Sequence, residues 1–293
     1  MASVQALMAF AETARHGSFA RAARELGLSS SAVAKSVARL EADLGVRLFH
    51  RTTRKVALTS EGHALHARCR AIVDEFDALR DAAAGARGAP TGTLRLNVPI
   101  TLGKLHYVPQ LAALLARHPG LGLELGFSDR YADVVSEGLD AAIRIGPLAD
   151  STLVAKRIGE QRLVVVGSAR YLKKRGEPTH PSALAAHRCM AFRMPTSGRL
   201  RPWQFVDGRR TFEWTPDADV VMNDGEGLVA AAAAGIGLIQ VPDYIAAGAL
   251  SSGAVRRVLD THAPPALPIS VVYPSARGVT PRLRALLEAL QGR

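Results

Sequence analysis

The sequence has few cysteines and no long apolar run. Cys69 and Cys189 are the only two among 293 residues, too few for a disulfide scaffold and typical of reduced thiols in the cytoplasm. No apolar stretch approaches the roughly 20 residues that a membrane-spanning helix needs. The opening stretch MASVQALMAFAETARHGS lacks the basic leader and apolar core of a secretory signal. We therefore expect a cytoplasmic location and no membrane partner.

Motifs of the common enzyme classes are also missing. The sequence contains no GxSxG elbow, no phosphate-binding loop with GK[ST], no HExxH pair and no GxGxxG after a predicted strand. The nine histidines form no ligand cluster by spacing. Asp217, Asp219 and Asp224 are conceivable acid–base groups, but acids near strand ends are common in solvated loops. We predict no catalytic residues, no metal ligands and no cofactor.

Positive charge is abundant and concentrated at one end. The net charge is +11, and residues 1–58 hold nine basic and four acidic side chains, an excess of +5. Nearly half of the total excess thus lies in a fifth of the chain. This distribution predicts a small basic module attached to a larger, less charged body, with a polyanion as partner.

The first sixty residues predict a helix-turn-helix. Residues 4–15 have helical spacing, Ser18 is a good N-cap for a second helix, and Ser29 is one for a third. Gly27 suits the turn between the last two. In this motif the second helix of the pair enters the major groove of DNA.

The third helix, within SSSAVAKSVARLE, has two different faces. Val33, Val37 and Leu40 line one of them, while the other is small, hydroxylated and basic. Small residues allow close approach to base edges, and the alternative is an ordinary solvated face. The following LGVRLFHRTTRKVALT predicts a two-stranded wing with a basic tip suited to phosphates. We expect DNA contacts from Ser18, Ser29, Ser30, Ser31, Lys35, Ser36, Arg39, Arg51, Thr52, Thr53, Arg54 and Lys55.

These residues carry a resemblance to a known family. SFARAARELGLSSSAVAKSVARLEADLGVRLFHRTTRKVALTSEG closely resembles the winged helix-turn-helix of LysR-type transcriptional regulators, and the likeness continues in DAAIRIG, LVVVGSARYL, NDGEGLVAAAAAGIGLIQVPDY and VVYPSARGVTPRLRALLEAL. The family often has Gln where Ser30 stands and Ser where Ala34 stands. Both positions lie on the third helix, the reading helix that would enter the major groove. The operator sequence that this chain recognises therefore cannot be inferred from the resemblance.

A long helix is predicted after the wing. Thr59 or Ser60 would cap it, and apolar residues then recur at alternating steps of four and three, which is the seam of a paired helix. The resemblance implies a homodimer that pairs through Leu65, Cys69, Ile72, Phe76, Leu79 and Ala83. The alternative is a helix packed on its own domain. A metal site of His63, His66 and Cys69 is disfavoured, because steps of three spread the trio around the helix.

Strands and helices alternate in the rest of the chain, which predicts a parallel α/β arrangement. The resemblance implies two subdomains joined by two crossovers, as in periplasmic binding proteins. We expect an α/β multidomain chain with a winged helix-turn-helix over 1–58, a linker and dimerisation helix over 59–88 and an effector domain over 89–293. Subdomain I would hold about 93–162 and 266–293, and subdomain II about 163–265.

Ligands in such folds bind beyond the carboxyl ends of strands, near helix N-termini. A small anion such as a carboxylate would suit a helix end together with an arginine. We predict an effector cleft near Ile100, Thr101, Arg144, Gly146, Arg193, Asn223 and Asp224. Strand-end Thr and Gly are also ordinary capping residues, and Arg144 is equally suited to a structural ion pair.

The resulting hypothesis is a sequence-specific transcriptional regulator controlled by a small-molecule inducer. Its expected partners are double-stranded DNA with an inverted-repeat operator, the effector, further copies in a homodimer or homotetramer, and RNA polymerase. Two alternatives stay open at this point. One is an architectural DNA-binding protein without small-molecule input, and the other is an α/β enzyme with an appended DNA-binding domain.

Overall fold

The computed structural model describes residues 3–51, 56–83, 89–130, 133–148, 152–195, 197–275 and 279–291. They form an N-terminal helical module, a long connecting helix and an α/β body. Within these ranges, no helix is both long and apolar enough to cross a membrane.

Three helices and a two-stranded wing make up the module: α1 (Val4–His16), α2 (Phe19–Glu25), α3 (Ser30–Leu44), β1 (Phe49–Arg51) and β2 (Val56–Leu58). The predicted caps are confirmed, because Ser18 Oγ accepts the Arg21 amide at 3.4 Å and Ser29 Oγ accepts the Ala32 amide at 3.2 Å. Gly27, with φ of +63°, makes the left-handed turn between α2 and α3.

A buried carboxylate ties α3 to the wing. Glu41 is 6% exposed, and its Oε1 accepts the amides of Leu48 at 2.8 Å and Phe49 at 3.3 Å. The Arg47 guanidinium lies 3.8 Å from Glu41 Oε2. The start of β1 is therefore held directly against the reading helix.

The connecting helix α4 (Ser60–Ala83) begins at Thr59, which is the one of the two predicted caps that is used. Thr59 Oγ1 accepts the Gly62 amide at 2.9 Å and donates to the Arg47 carbonyl at 2.6 Å. The same hydroxyl thus starts the helix and joins it to the segment before the wing.

The body continues in chain order as β3 (Gly92–Val98), α5 (Ile100–Leu102), a π-turn (Gly103–Tyr107), α6 (Val108–Arg117), β4 (Leu121–Phe127), β5 (Ala141–Ile145), β6 (Leu153–Gln161), β7 (Leu163–Gly167), α7 (Ala169–Arg175), a 3₁₀ turn (Pro181–Ala186), β8 (Ala191–Phe192), β9 (Trp203–Asp207), β10 (Arg210–Trp214), β11 (Val221–Met222), α8 (Gly225–Ala233), β12 (Ile239–Pro242), α9 (Asp243–Ser251), β13 (Arg256–Val258), a 3₁₀ turn (Asp260–His262), β14 (Leu267–Pro274) and α10 (Pro281–Gln291).

The first subdomain is built on a mixed five-stranded sheet in the order β4-β3-β5-β14-β6. Strand β3 pairs in parallel with β4 and β5, whereas β14 is antiparallel to β5 and β6. The expectation of a parallel sheet is therefore wrong for β14. Strand β6 leaves for the second subdomain at Gln161, and β14 returns beside it at Leu267, so the two run in opposite directions.

The second subdomain contains a three-stranded antiparallel sheet in the order β12-β7-β13 and a short parallel pair of β8 and β11. Its core is centred on Val166, Trp203, Phe205, Leu228 and Ile239, each at most 2% exposed. The β9–β10 hairpin was not expected from the sequence. It covers one side of this core with Trp203 and Phe205.

One predicted helix does not form. Alternation of strands and helices predicts a helix between β4 and β5, in the stretch ADVVSEG, but the described part, from Asp133 onward, makes only a turn. Asp133 Oδ1 accepts the amides of Val135 at 3.0 Å and Ser136 at 3.1 Å, and Gly138 follows with φ of +63°. The aspartate and the glycine cap a single turn from both ends.

Candidate DNA-binding surface and effector cleft

The outer face of α3 is available to a ligand. Ser30, Ser31, Lys35 and Arg39 are exposed and Ser36 is half-buried, whereas Val33, Val37 and Leu40 on the opposite face are fully buried. The helix thus presents hydroxyls and two cations to solvent while its apolar side fixes its orientation. This is the geometry that a helix reading the major groove needs.

Ser18 and Ser29 serve first as helix caps. Each accepts one backbone amide, and the Ser29 hydroxyl also lies 3.1 Å from the Ser31 hydroxyl. Both mark the N-termini of α2 and α3, where backbone amides favour phosphate oxygens. Their contribution to a phosphate contact would therefore accompany a structural role.

Two exposed cations of α2 were missed in the sequence analysis. Arg21 and Arg24 are exposed on the side opposite the buried Ala22 and Ala23. In helix-turn-helix proteins the first helix of the pair crosses the DNA backbone. Their spacing of three residues on a helix next to α3 was the available signal.

The wing is present, but its tip lies outside the described residues. Strands β1 and β2 pair antiparallel with Phe49 opposite Leu58 and Arg51 opposite Val56. The side chain of Arg51 and the whole of Thr52, Thr53, Arg54 and Lys55 belong to the part that is not described. Their DNA contacts stay predictions.

The described residues of the predicted dimer seam on α4 fall into two groups, one packed in the module and one facing solvent. Leu65 is half-buried and Cys69 is 4% exposed, and both pack into the core of the module itself. This corrects their assignment to a dimer interface, because α4 packs against α1. Burial also raises the pKa of the Cys69 thiol, whereas the His63 side chain is exposed, so the two do not lie on one surface.

Further along α4 the apolar stripe faces solvent. Ile72 is 50% exposed and Phe76 is 37% exposed. The side chains of Leu79 and Ala83 lie outside the described set. A partner helix would therefore find its first exposed apolar contacts at Ile72 and Phe76.

A cavity of about 670 Å³ lies between the two subdomains. One wall comes from the segments that end β3, β4 and β5, and the other comes from residues around β8 and from the starts of α8 and α9. Its volume is in the range of small-molecule sites.

Five of the seven predicted effector residues line this cavity: Ile100, Thr101, Arg144, Asn223 and Asp224. Gly146 and Arg193 do not. Arg193 is exposed and donates to the Gly198 carbonyl at 2.8 Å, because successive side chains of an extended strand point to opposite sides and its neighbours Phe192 and Met194 face the cavity. Gly146, with φ of +93°, ends β5 in a turn and its amide donates to the Pro268 carbonyl.

The helix start beside the cavity is already occupied by an acid. Asp129 Oδ1 accepts the Ile100 amide at 3.0 Å. A ligand that binds near this helix N-terminus therefore does not find the Ile100 amide free. Asp224 is committed in the same way, since its Oδ1 accepts the Gly227 amide at 2.6 Å at the start of α8. Both acids of the cavity wall thus serve helix termini.

Arg201, which the sequence analysis missed, supplies a half-buried cation in the cavity. Burial lowers the pKa of its guanidinium, an effect that Tyr244 opposes. Within the described ranges, no carboxylate lies within 4 Å of this guanidinium. Tyr244 donates its hydroxyl to Gln161 Oε1 at 3.2 Å, and burial raises the pKa of the phenol, so it stays protonated at neutral pH. The cavity therefore offers a partly desolvated positive charge and a hydrogen-bonded phenol.

Comparison with known families gives two matches along the chain. The family described as "Bacterial regulatory helix-turn-helix protein, lysR family" matches residues 4–63, and the family described as "LysR substrate binding domain" matches residues 87–293. The first covers the module with the start of α4. The second covers the α/β body with its cavity.

Curated relatives match over nearly the full length. An HTH-type transcriptional regulator of Xanthomonas campestris pv. campestris (strain 8004) is 35% identical over 96% of this chain and 82% of its own. The HTH-type transcriptional regulator CrgA of Neisseria meningitidis serogroup B is 32% identical over 97% of this chain and 94% of its own.

Solved structures share the fold. The structure of CrgA, a LysR-type transcriptional regulator from Neisseria meningitidis, has a TM-score of 0.63 at 30% identity and covers 98% of this chain and 97% of that one. The full-length Vibrio cholerae virulence activator AphB has a TM-score of 0.62 at 23% identity and covers 99% of each chain, which shows similarity of fold.

Proposed function

The chain belongs to the LysR family of DNA-binding transcriptional regulators, and from that premise we propose that a small carboxylate-bearing effector, bound between its subdomains, controls its attachment to DNA. Like these relatives, it is a transcriptional regulator and not an enzyme. LysR-type regulators bind DNA and small-molecule effectors and form oligomers. The finer assignments that follow are proposals.

The DNA step rests on α3. Lys35 and Arg39 supply exposed cations for phosphates, and Ser30, Ser31 and Ser36 supply short hydroxyls for base edges. Two such modules held by a symmetric dimer would meet two half-sites, so the operator would be an inverted repeat. Because a transcriptional regulator acts on chromosomal DNA, the proposal includes a location in the cytoplasm and RNA polymerase as a functional partner.

Oligomer formation would use the exposed part of α4. Ile72 and Phe76 present apolar surface three and seven residues after the buried Cys69, and Leu79 and Ala83 continue the sequence pattern. Because Leu65 and Cys69 are committed to the module core, the homodimer contact would begin after the module. A homotetramer would need a further contact through the effector domains.

The effector class rests on one observation, the half-buried cation that Arg201 places in the cavity. A desolvated guanidinium is costly unless an anion accompanies it, and the acids on the cavity wall already bind helix amides. A ligand carboxylate would complete the ion pair and accept charge-assisted hydrogen bonds. The cavity volume of about 670 Å³ suits a small organic acid. The proposed regulation requires no cofactor besides this ligand.

Effector binding would act as a population shift. A ligand that touches both walls of the cavity favours the closed arrangement of the subdomains, and it shifts the equilibrium by its difference in affinity for the two arrangements. The change would reach the DNA-binding modules through α4. An architectural protein would have no use for such a cavity.

The test is calorimetry on the full-length chain with small carboxylic acids, each paired with its neutral amide, such as benzoate with benzamide and succinate with succinamide. We expect at least one acid to bind and its amide to fail. Arg201→Gln should weaken binding at least tenfold, because a charge-assisted hydrogen bond contributes about 1.5–3 kcal/mol.

The matched control is Arg199→Gln, which removes an exposed arginine two positions away and should bind as the parent does. In parallel, selection of bound DNA fragments gives an operator for measuring the effect of the acid on the complex. Equal affinity of Arg201→Gln and the parent for every acid that binds would refute the assignment of the anion site. Absence of any preferred DNA fragment would refute the DNA step.

A further inference from the structure

Three metal-ligating side chains meet on the second subdomain, outside the effector cavity. His180 precedes the 3₁₀ turn Pro181–Ala186, Asp207 ends β9, and His262 ends the 3₁₀ turn Asp260–His262. One candidate ligand atom from each of the three lies within 4.8 Å of the others. The three positions are far apart in the chain, so the group is created by tertiary folding.

The distances suit a small cation. His180 Nε2 lies 3.5 Å from Asp207 Oδ2, and the two histidine rings have centroids 4.9 Å apart with their planes at 87°. A tetrahedral Zn²⁺ with bonds of about 2.0–2.2 Å holds its ligand atoms about 3.3 Å apart. The first pair already has this separation, and the His262 ring would need a shift of about 1.5 Å at most to complete the set.

Neighbouring groups orient both rings. His180 Nδ1 accepts the Ser182 amide at 3.2 Å and lies 2.8 Å from Ser182 Oγ, while His262 Nδ1 lies 3.1 Å from Thr261 Oγ1. Metal-binding histidines commonly donate the N–H of their second nitrogen to a neighbouring oxygen, and Ser182 Oγ and Thr261 Oγ1 are placed to accept from Nδ1 of these two rings. In addition, Leu259 starts the turn that carries His262 with φ of +61°, the sole non-glycine residue with positive φ in the described ranges.

We propose that His180, Asp207 and His262 form a binding site for a divalent transition metal ion, with Zn²⁺ as the best-suited ion. Two imidazoles and one carboxylate select Zn²⁺ and its neighbours over Mg²⁺ and Ca²⁺, which prefer all-oxygen sites. Three protein ligands leave a fourth position for water or for a donor from another molecule. The His180 and Asp207 side chains are 46% and 60% exposed, so an ion reaches the site from solvent.

Metal binding changes the proton arrangement on His180. While Nδ1 accepts the Ser182 amide, the proton of the neutral ring sits on Nε2 and faces Asp207. A metal on Nε2 requires that proton to be on Nδ1, which then donates to Ser182 Oγ, 2.8 Å away, and no longer accepts the Ser182 amide. Ser182 is thus a positioning residue, and Ser182→Ala should weaken metal binding by about tenfold, as loss of such partners commonly does.

One nearby charge opposes the ion. Arg210 stands opposite Asp207 in the register of the β9–β10 hairpin. Cross-strand partners lie close enough for their charges to interact. Removing this cation by Arg210→Gln should therefore tighten metal binding severalfold, a change in the direction opposite to the loss of a ligand.

The experiment is titration of the full-length, metal-free chain with Co²⁺, followed by visible absorption, and then displacement of Co²⁺ by Zn²⁺. We expect one ion per chain with the absorption of four-coordinate Co²⁺. His180→Asn keeps an oxygen near the position of Nδ1 for capping the turn but deletes the Nε2 ligand. This variant, His262→Asn and Asp207→Asn should each reduce affinity at least tenfold.

The matched control is His106→Asn, which removes an exposed histidine of the π-turn and should leave the titration unchanged. Far-UV circular dichroism identifies any variant that fails to fold, and Arg210→Gln still tests the site in that case. Non-saturable uptake, or the same titration curve for parent and all ligand variants, would overturn the proposal. Carboxylate binding at Arg201 is independent of these outcomes.

Discussion

Arg282 and Asp140 form a buried ion pair that joins the last helix to the central sheet of the first subdomain. The guanidinium donates to Asp140 Oδ1 at 3.2 and 3.0 Å, with the two side chains 5% and 8% exposed. Asp140 Oδ2 accepts the Arg95 amide of β3 at 2.8 Å. One carboxylate thus holds α10, β3 and the start of β5 together.

Asp140→Asn should therefore destabilise the effector domain strongly. It removes the negative charge facing a buried guanidinium, a change that costs about 3–5 kcal/mol in comparable pairs. Urea unfolding of the full chain, followed by circular dichroism, checks this. Glu160→Gln, which alters the exposed pair with Arg157, should cost less than about 1 kcal/mol, and equal midpoints for the two variants would contradict the prediction.

Lys35→Ala should weaken binding to a selected operator and flatten its salt dependence. Loss of one phosphate contact lowers the slope of log K against log[salt] by about 0.9. Fluorescence anisotropy at several salt concentrations measures the slope. Lys104→Ala, an exposed lysine of the effector domain, is the control. An unchanged slope in Lys35→Ala would mean that this lysine does not contact phosphate.

Phe76→Glu should dissociate the oligomer. A carboxylate in a helix–helix seam loses solvation without gaining a partner, whereas Phe76 now exposes 37% of its surface along the unpaired stripe. Sedimentation velocity gives the oligomeric state. Val135→Glu places the same charge on an exposed valine of the first subdomain and should leave the oligomer intact. Retention of the parent's state by Phe76→Glu would exclude this seam.

The contribution of the buried Cys189 thiol to stability should be lost at high pH. Burial raises the pKa of its thiol from 9.0 to about 12, so the folded chain keeps a proton that the unfolded chain releases. The stabilisation is complete below pH 9.0 and is lost as the pH rises toward about 12. Unfolding midpoints of the parent and Cys189→Ala between these limits should converge as the pH rises. A constant difference would contradict the sign.

Local features were predictable from the sequence because their causes are local. Ser18, Ser29 and Gly27 sit at the helix boundaries where the sequence analysis put them, since capping and left-handed φ depend on adjacent residues. Strand ends at Ile100 and Arg144 likewise identified one wall of the cavity.

Features that depend on distant segments were not predictable. Arg193 was predicted to line the cavity, but its neighbours Phe192 and Met194 do so instead. Which side chains of a strand face a cavity depends on how the strand pairs, and that pairing cannot be deduced from its own sequence. Arg201 follows no strand-end pattern, and its importance comes from burial. The approach of His180 to His262 requires two turns that the sequence does not connect.

The anchoring of Leu65 and Cys69 in the module core has a mechanical consequence. The first turns of α4 and the helix-turn-helix module form one rigid unit, so a rotation of α4 about its axis also rotates α3. Any hinge that couples effector binding to a change in DNA binding therefore lies on the C-terminal side of Cys69.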